Sequence, residues 1–176
     1  MSLILSLAIV SLLSSAKANS TGCTEEVRLS IRKEVYRELL PESGWFVLNG
    51  SDYAYKLTNE KTSWKRGREL CRQMNADLSV TIKDDTVRWL VAPHVYRGPE
   101  WIGLWVGLTD KHDEGRWKWV DGELARVNDI VWSFYEPNGG KGENCGELWG
   151  EPRYFTINDA SCNGVARFSL CELKFQ

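Results

Sequence analysis

Residues 132–162 read WSFYEPNGGKGENCGELWGEPRYFTINDASC and are rich in oxygen-bearing side chains. The candidate ligands in this stretch are Glu136, Asn138, Glu143, Asn158 and Asp159. Carboxylate and amide oxygens, with no histidine or cysteine among them, favour a hard cation. Calcium suits ligands that are far apart in sequence, because it accepts six to eight oxygens in a flexible arrangement. Composition alone leaves a second interpretation open, a polar surface loop in which the acidic residues are incidental.

A proline and two cysteines shape this stretch. Pro137 stands between Glu136 and Asn138, where its ring fixes the local backbone. A cis bond before Pro137 would turn both neighbouring side chains toward one point. Cys145 and Cys162 bracket the second half of the stretch, and a disulfide between them would hold the two halves of a ligand set together.

The N-terminus has the features of a targeting segment. Residues 3–13 are apolar, and Ala16-Lys17-Ala18 matches a signal-peptide cleavage site. The apolar run is too short to span a bilayer, which needs roughly 20 apolar residues, and no later run is long enough. We therefore expect a signal peptide over residues 1–18 and a secreted, extracellular mature protein without a membrane span.

Secretion predicts that the cysteines form disulfides, because cysteines pair in an oxidising compartment. The five are Cys23, Cys71, Cys145, Cys162 and Cys171. Four of them can make two disulfides, in three possible connectivities, and one is left over. Cys23 is the odd one, since it lies in the N-terminal segment, far from the others in sequence.

The N-terminal segment, residues 19–44, contains one predicted amphipathic helix over residues 24–40, which Pro41 ends. An isolated helix of this length is marginal in water, so it needs a partner. It either packs on its own domain or pairs with the same helix of a second chain, locked by a Cys23–Cys23 disulfide. A Cys23 that is free or capped by a small thiol is the third alternative.

Residues 45–176 form one domain, for which the sequence predicts the α+β class. We expect a hairpin over residues 45–57, then a helix with its N-cap at Ser63 and its C-cap at Asn75, and a second helix that begins near Asp84. Two early helices followed by short strands favour α+β over alternating βαβ units. The predicted strands occupy residues 101–108, 117–120, 145–149, 154–157 and 168–173.

Composition excludes several classes of protein. Hydrophobic residues make up 43% of the 176 residues, which excludes a disordered chain, and a net charge of −2 offers no basic field for nucleic acid. His94 and His112 lie in predicted loops without a serine or cysteine nucleophile beside them, so we predict no enzymatic activity. The tryptophans predicted to lie in the core are residues 101, 105, 117, 119 and 132.

A series of motifs extends over residues 45–175. In chain order they are Cys71, WVGLTD (105–110), EGRWKWVDG (114–122), Trp132, Glu136-Pro137-Asn138, Glu143-Asn144-Cys145, NDASC (158–162) and LCE (170–172). In this order they resemble the C-type lectin domain family, and are most similar to its short soluble invertebrate members. The resemblance implies the C-type lectin fold, with two helices, short antiparallel sheets and a long calcium-binding loop region. It also implies the disulfides Cys71–Cys171 and Cys145–Cys162.

The resemblance further implies roles for the oxygen ligands. Glu136, Asn138, Glu143, Asn158 and Asp159 match the family's principal calcium site, where the same side chains hydrogen-bond two neighbouring hydroxyls of a sugar that completes the calcium shell. In this family Glu-Pro-Asn goes with mannose, fucose or N-acetylglucosamine. Trp149 could instead stack on the apolar face of galactose, or it is a core or rim aromatic, so galactose stays open. For a second calcium site Asp110 and Glu114 match, but Asn144 stands where a carboxylate is usual.

These observations predict a secreted, calcium-dependent carbohydrate-binding protein. Its partners would be microbial or cell-surface glycans, and a disulfide-linked homodimer would supply two binding sites. The alternative is a protein-interaction module that keeps the same fold without binding sugar. The retained ligands that count against that alternative are Glu136, Asn138, Asn158 and Asp159.

Overall fold

The computed structural model describes residues 44–48, 51–84, 87–89, 91–92, 102–126, 128, 130–151 and 154–175. The predicted signal peptide, the predicted helix at 24–40 and Cys23 lie outside these residues. Within them, no helix is both long and apolar enough to cross a membrane.

The described chain begins with the predicted hairpin. Strand β1 (Phe46–Val47) pairs antiparallel with β2 (Tyr53–Leu57), with Phe46 opposite Tyr55. The two rings stack with their centroids 5.6 Å apart, and Tyr55 is fully buried. The hairpin therefore anchors the N-terminal edge of the sheet in the core.

Helix α1 (Trp64–Gln73) follows, and its N-cap is the predicted one, because the Ser63 hydroxyl accepts a hydrogen bond from the Arg66 amide at 3.4 Å. Its buried residues Trp64, Gly67 and Cys71 lie three and four positions apart and form one face. The C-cap is Met74, one residue before the predicted Asn75. Asn75 takes a left-handed φ of 57°, the conformation that asparagine tolerates just beyond a helix end.

The second helix is described in part, since residues 87–89 and 91–92 are helical. The Asp84 side chain accepts a hydrogen bond from the Val87 amide at 3.4 Å, and the Asp84 carbonyl accepts one from the Arg88 amide at 3.1 Å. Asp84 thus caps this helix, which begins close to the predicted start near Asp84.

The remaining strands are β3 (Asp77–Leu78), β4 (Ile102–Thr109), β5 (Lys118–Trp119), β6 (Cys145–Glu151), β7 (Tyr154–Ala160) and β8 (Phe168–Lys174). Among the described residues they complete an eight-stranded sheet in the order β1-β2-β8-β4-β6-β7, with β3 beside β8 and β5 beside β4. The α+β class is confirmed. One feature was not predicted: β4 and β8 run parallel, whereas the other strand pairs are antiparallel.

Two disulfides connect these elements. Cys71–Cys171 joins α1 to β8, and Cys145–Cys162 joins the first residue of β6 to the chain just after β7. These are the two pairs that the resemblance implies. Trp105, Trp117 and Trp119 are buried as predicted, while Trp132 is half-buried and meets Trp117 edge to face with centroids 5.0 Å apart. The predicted core residue Trp101 lies outside the described residues.

Candidate functional site

The candidate site lies where the loop before β6 meets the end of β7. Asp159 is only 1% exposed, and its two carboxylate oxygens accept hydrogen bonds from the backbone amides of Asn138 at 3.1 Å and Gly139 at 2.9 Å. An acidic side chain is rarely buried unless it is paired or hydrogen-bonded. Asp159 therefore holds the Glu-Pro-Asn loop against β7, and two of the predicted ligands, Asn138 and Asp159, are brought together.

Glu136 lies beside them on the same loop, and the peptide bond that joins it to Pro137 is cis, as the sequence suggested. Its Oε1 accepts a hydrogen bond from the side-chain Nδ2 of Asn138 at 2.9 Å, while its Oε2 is buried without a hydrogen-bond partner. Burial raises the pKa of Glu136 to about 7, and the neighbouring Asp159 carboxylate and the charge of Glu143 contribute to the rise. A buried, partnerless oxygen among negative charges is a place where a cation would be stabilised.

Glu143 joins this group from the far end of the loop. It packs against Gly139 so closely that a Cβ on Gly139 would overlap its side chain. Burial raises the pKa of Glu143, and the negative charges of Asp159 and Glu147 raise it further. The negative charge of Asp159 therefore acts on both Glu136 and Glu143, and that of Glu143 acts on Glu136.

Asn158 is held by residues that the sequence did not single out. Its Nδ2 donates to Oε1 of Glu147 at 3.0 Å, and the other oxygen of Glu147 accepts from Nε of Arg167 at 2.6 Å. Glu147 is 1% exposed and lies opposite Asn158 in the β6–β7 ladder. Because Glu147 takes the donor end of the amide, the Oδ1 end of Asn158 is the one that can ligate a cation. We call Glu147 and Arg167 the positioning pair.

Trp149 lies two residues beyond Glu147 on β6, on the same face of the strand. It is half-buried, and the Arg167 guanidinium lies 5.9 Å from the centroid of its ring. The positioning pair thus links the proposed ligand Asn158 to the predicted sugar-stacking residue. Gly103 on β4 makes room for the positioning pair, because a Cβ on Gly103 would overlap both Arg167 and Glu147.

A further acidic residue, Asp110, acts on this group through its charge interaction with Asp159. Asp110 is 3% exposed, its Oδ2 accepts from the Gly115 amide at 2.8 Å, and its Oδ1 is buried without a partner. Burial raises the pKa of Asp110, and the charges of Glu114 and Asp159 add to the rise. Asn144, which replaces a carboxylate here, donates its side-chain amide to the Lys141 carbonyl at 2.8 Å.

The donor set fits calcium by its chemistry. It offers three carboxylates and two carboxamides, and it includes a buried carboxylate oxygen that lacks a partner. Among the described residues, no three Asp, Glu, His or Cys side chains are already clustered tightly enough to form a metal site.

Known proteins resemble this chain in sequence and in fold. Residues 60–173 match the family described as Lectin C-type domain. CD209 antigen-like protein D from Mus musculus is 31% identical over 129 residues, which cover 73% of this chain and 50% of that protein. Asialoglycoprotein receptor 2 from Rattus norvegicus is 32% identical over 136 residues, which cover 74% of this chain and 41% of the receptor. The chain thus spans half or less of these relatives.

A solved structure supports the same assignment. The carbohydrate-recognition domain of the mouse scavenger receptor C-type lectin matches with a TM-score of 0.63 and 25% identity. The match covers 76% of this chain and 95% of that domain. The similarity therefore extends over nearly the whole of that domain.

Proposed function

This chain belongs to the C-type lectin domain family, and on that premise we propose that it is a calcium-dependent lectin with a preference for mannose-type sugars. Members of the family bind carbohydrate and are not enzymes, which agrees with the predicted absence of enzymatic activity. They also generally bind calcium. The calcium dependence and the sugar preference of this chain are the proposal.

One observation carries the proposal: the buried, partnerless Oε2 of Glu136 lies among the carboxylates of Glu143 and Asp159. A folded protein leaves few buried polar atoms without a partner, and such an atom calls for a missing ligand or ion. Burial is the main cause of the raised pKa of Glu136, and a cation would neutralise the repulsion from Asp159 and Glu143 that adds to it. The side chains that would hold calcium are those of Glu136, Asn138, Glu143, Asn158 and Asp159.

The same side chains have the donors and acceptors to bind a sugar diol. Glu136 and Glu143, when ionised, accept hydrogen bonds from sugar hydroxyls. Each of Asn138 and Asn158 uses one amide hydrogen inside the protein, and the second hydrogen of each NH2 group can be donated to a hydroxyl oxygen. Calcium, when bound, would supply the positive charge that polarises those hydroxyls.

The sugar class follows from two features. Glu136-Pro137-Asn138 is the motif that goes with equatorial hydroxyls, as in mannose, fucose and N-acetylglucosamine. Trp149, the residue that would favour galactose, already has the Arg167 guanidinium near its ring. We therefore place mannose-type sugars ahead of galactose.

The second candidate function is a protein-interaction module that does not bind sugar. The observation that favours it is that the described acidic side chains do not form a ready-made metal cluster. The two candidates differ in one measurable property, which is calcium-dependent retention on a sugar matrix.

The test is affinity chromatography of the full chain on mannose-agarose and galactose-agarose in calcium, with elution by a chelator. We expect retention on mannose-agarose and its loss in Glu136→Gln, which removes a charge while keeping the side-chain shape. Glu60→Gln, an exposed change away from the site, is the matched control and should be retained. Wild-type protein that passes through both matrices would favour the protein-interaction module.

We also propose that the protein is secreted after loss of residues 1–18 and that Cys23 links two chains. A single shallow site binds a monosaccharide weakly, with a Kd on the order of 1 mM. Two linked sites would raise the avidity through effective concentration. Cys23→Ser should halve the mass on a non-reducing gel, and an unchanged mass would refute the linkage.

A further inference from the structure

Two aromatic side chains stand out on the surface of the described residues. Phe134 is 85% exposed and Tyr135 is 80% exposed, and their ring centroids lie 4.0 Å apart. We call these two residues the aromatic pair. Adjacent exposed apolar side chains of this size commonly mark an interaction site. The aromatic pair directly precedes Glu136, so it lies at the edge of the candidate sugar site.

The turn that carries the aromatic pair is fixed to the sheet. The Glu136 amide donates to the Ser133 carbonyl at 3.0 Å, which closes a four-residue turn with the pair at its two central positions. The Ser133 amide donates to the Ile157 carbonyl at 2.7 Å, and the Ser133 hydroxyl lies 2.5 Å from that of Thr156. The two rings are therefore presented from a turn anchored on β7.

The backbone at Tyr135 is unfavourable for a bulky residue. Its φ is 69°, in the left-handed region, and the third position of a turn with positive φ favours glycine. A side chain that is 80% exposed gains little burial to offset this cost. A local rule broken without a gain in packing is expected at a functional position.

Building on the proposed lectin function, we propose that the aromatic pair forms a second sugar subsite. There the apolar C–H face of the next residue of an oligosaccharide stacks on Phe134 and Tyr135, while the terminal sugar occupies the site at Glu136. Aromatic ring faces carry negative charge density, which suits the slightly positive C–H face of a pyranose. The Tyr135 hydroxyl can also exchange hydrogen bonds with sugar hydroxyls. The occupant is a neutral oligosaccharide, because stacking requires no charge on the ligand.

The experiment compares a monosaccharide with an oligosaccharide on the full chain in calcium. The probes are methyl α-mannoside and an α-linked mannotriose, measured by isothermal titration calorimetry against wild type, Phe134→Ala and Tyr135→Gly. Glycine suits the left-handed φ, so Tyr135→Gly should fold at least as well as wild type. We expect the trisaccharide affinity to fall about tenfold in each variant while the monosaccharide affinity changes less than about twofold. Trp89→Ala, which removes an exposed aromatic from the second helix, is the matched control and should bind both sugars like wild type.

Three outcomes would overturn the subsite alone. An unchanged trisaccharide affinity removes it, and an equal loss for both sugars shows that the turn acts only through Glu136. Variants that keep both sugar affinities but lose binding to phosphatidylcholine vesicles would assign the aromatic pair to a membrane surface. Wild type that binds neither sugar defeats the proposed function and the subsite together, whereas each of the three outcomes above, with a wild type that binds sugar, defeats the subsite alone.

Discussion

The amide of Asn158 has two ends of opposite character, and only its oxygen can bind a cation. An ionised carboxylate has no hydrogen to donate, so Glu147 must face the NH2 end, as the 3.0 Å bond from Nδ2 shows. Arg167 balances the buried charge of Glu147 from the other side at 2.6 Å. The positioning pair therefore acts on the candidate site through Asn158, without itself being a ligand.

The positioning pair should govern calcium affinity. In Glu147→Gln the new amide can present either end, so it no longer dictates which way Asn158 faces. Loss of such a supporting contact typically costs about 10–100-fold in metal affinity. We expect that loss in a calorimetric calcium titration of Glu147→Gln. Arg167→Lys should recover most of the affinity that Arg167→Leu loses, because it keeps the positive charge.

A purely structural role for the pair makes a different prediction. Glu147→Gln would then lower the thermal midpoint of the metal-free protein and leave calcium affinity as in wild type. Arg66→Leu is the control, since Arg66 pairs with Glu69 on the surface with both side chains 48% exposed. An exposed ion pair contributes about 0–1 kcal/mol, so this change should alter neither measurement appreciably.

Glu136 predicts how stability and calcium binding depend on pH. Its pKa rises from 4.5 to about 7 in the metal-free fold, so the folded state holds this proton more tightly than the unfolded state between those values. The free energy of unfolding should therefore fall as the pH rises through this window and level off above about 7. Calcium requires the ionised carboxylate, so its affinity should rise over the same window.

Urea unfolding of dialysed, metal-free protein at several pH values measures the first effect, and calcium titration at the same values measures the second. Glu136→Gln should flatten the dependence of stability on pH, because glutamine does not titrate. The raised pKa values of Glu143 and Asp110 act in the same direction, so part of the slope should remain. A metal-free stability that increases from pH 5 to pH 7.5 would contradict this account.

Some residues of the candidate site could be predicted from the sequence, and others could not. Sequence analysis grouped Asn138 with Asp159, and in the structure the backbone amide of Asn138 donates a hydrogen bond to the Asp159 carboxylate. Sequence analysis missed Glu147, although a charged residue in the otherwise apolar predicted strand 145–149 was a visible signal. Its partners could not be predicted, because they depend on the register of β6 with β7 and on Arg167, 20 residues further along the chain.

Among the strands, β4 carries a glycine that the positioning pair requires. A Cβ on Gly103 would overlap Arg167 and Glu147, so Gly103→Ala should push the two side chains apart. Overpacking of this kind costs about 1–3 kcal/mol, even though alanine is the better strand residue. We expect that loss in urea unfolding, together with a lower calcium affinity from the displaced Glu147.

Gly142→Ala is the matched glycine change, because a Cβ there meets nothing within 4 Å. It should leave stability within about 0.5 kcal/mol of wild type, as for other surface substitutions. If Gly103→Ala were as stable as Gly142→Ala, the close packing of β4 against the pair would be refuted.

Secondary structure was predictable where the local signals were complete. The hairpin and both helix starts carry their turn and cap residues in sequence, Ser63 and Asp84 among them. Strand β3 has only two residues, too few to show a periodicity. The parallel pairing of β4 with β8 joins segments far apart along the chain, and only tertiary packing selects it.

The two disulfides stabilise different parts of the domain: Cys71–Cys171 ties helix α1 to the sheet, and Cys145–Cys162 closes the loop that contains site residues. Cys71–Cys171 closes a loop with a sequence separation of 100, whereas Cys145–Cys162 closes one of 17. In the chain-entropy account a longer loop gives more stabilisation, about 4.7 kcal/mol against about 3 kcal/mol. The shorter loop contains Glu147, Asn158 and Asp159, so it constrains the candidate site itself.

Removing each disulfide should therefore have a different effect on the whole protein. The double change Cys71→Ala with Cys171→Ala should lower the unfolding free energy by about 4–5 kcal/mol, a large part of the 5–15 kcal/mol of a typical domain. The double change Cys145→Ser with Cys162→Ser should cost about 3 kcal/mol and leave a folded domain with weakened calcium binding. Urea unfolding and calcium titration of both variants measure the two effects. If the second variant bound calcium like wild type, the shorter loop would not organise the site, and the buried contacts of Asp159 and Glu147 alone would hold the ligands in place.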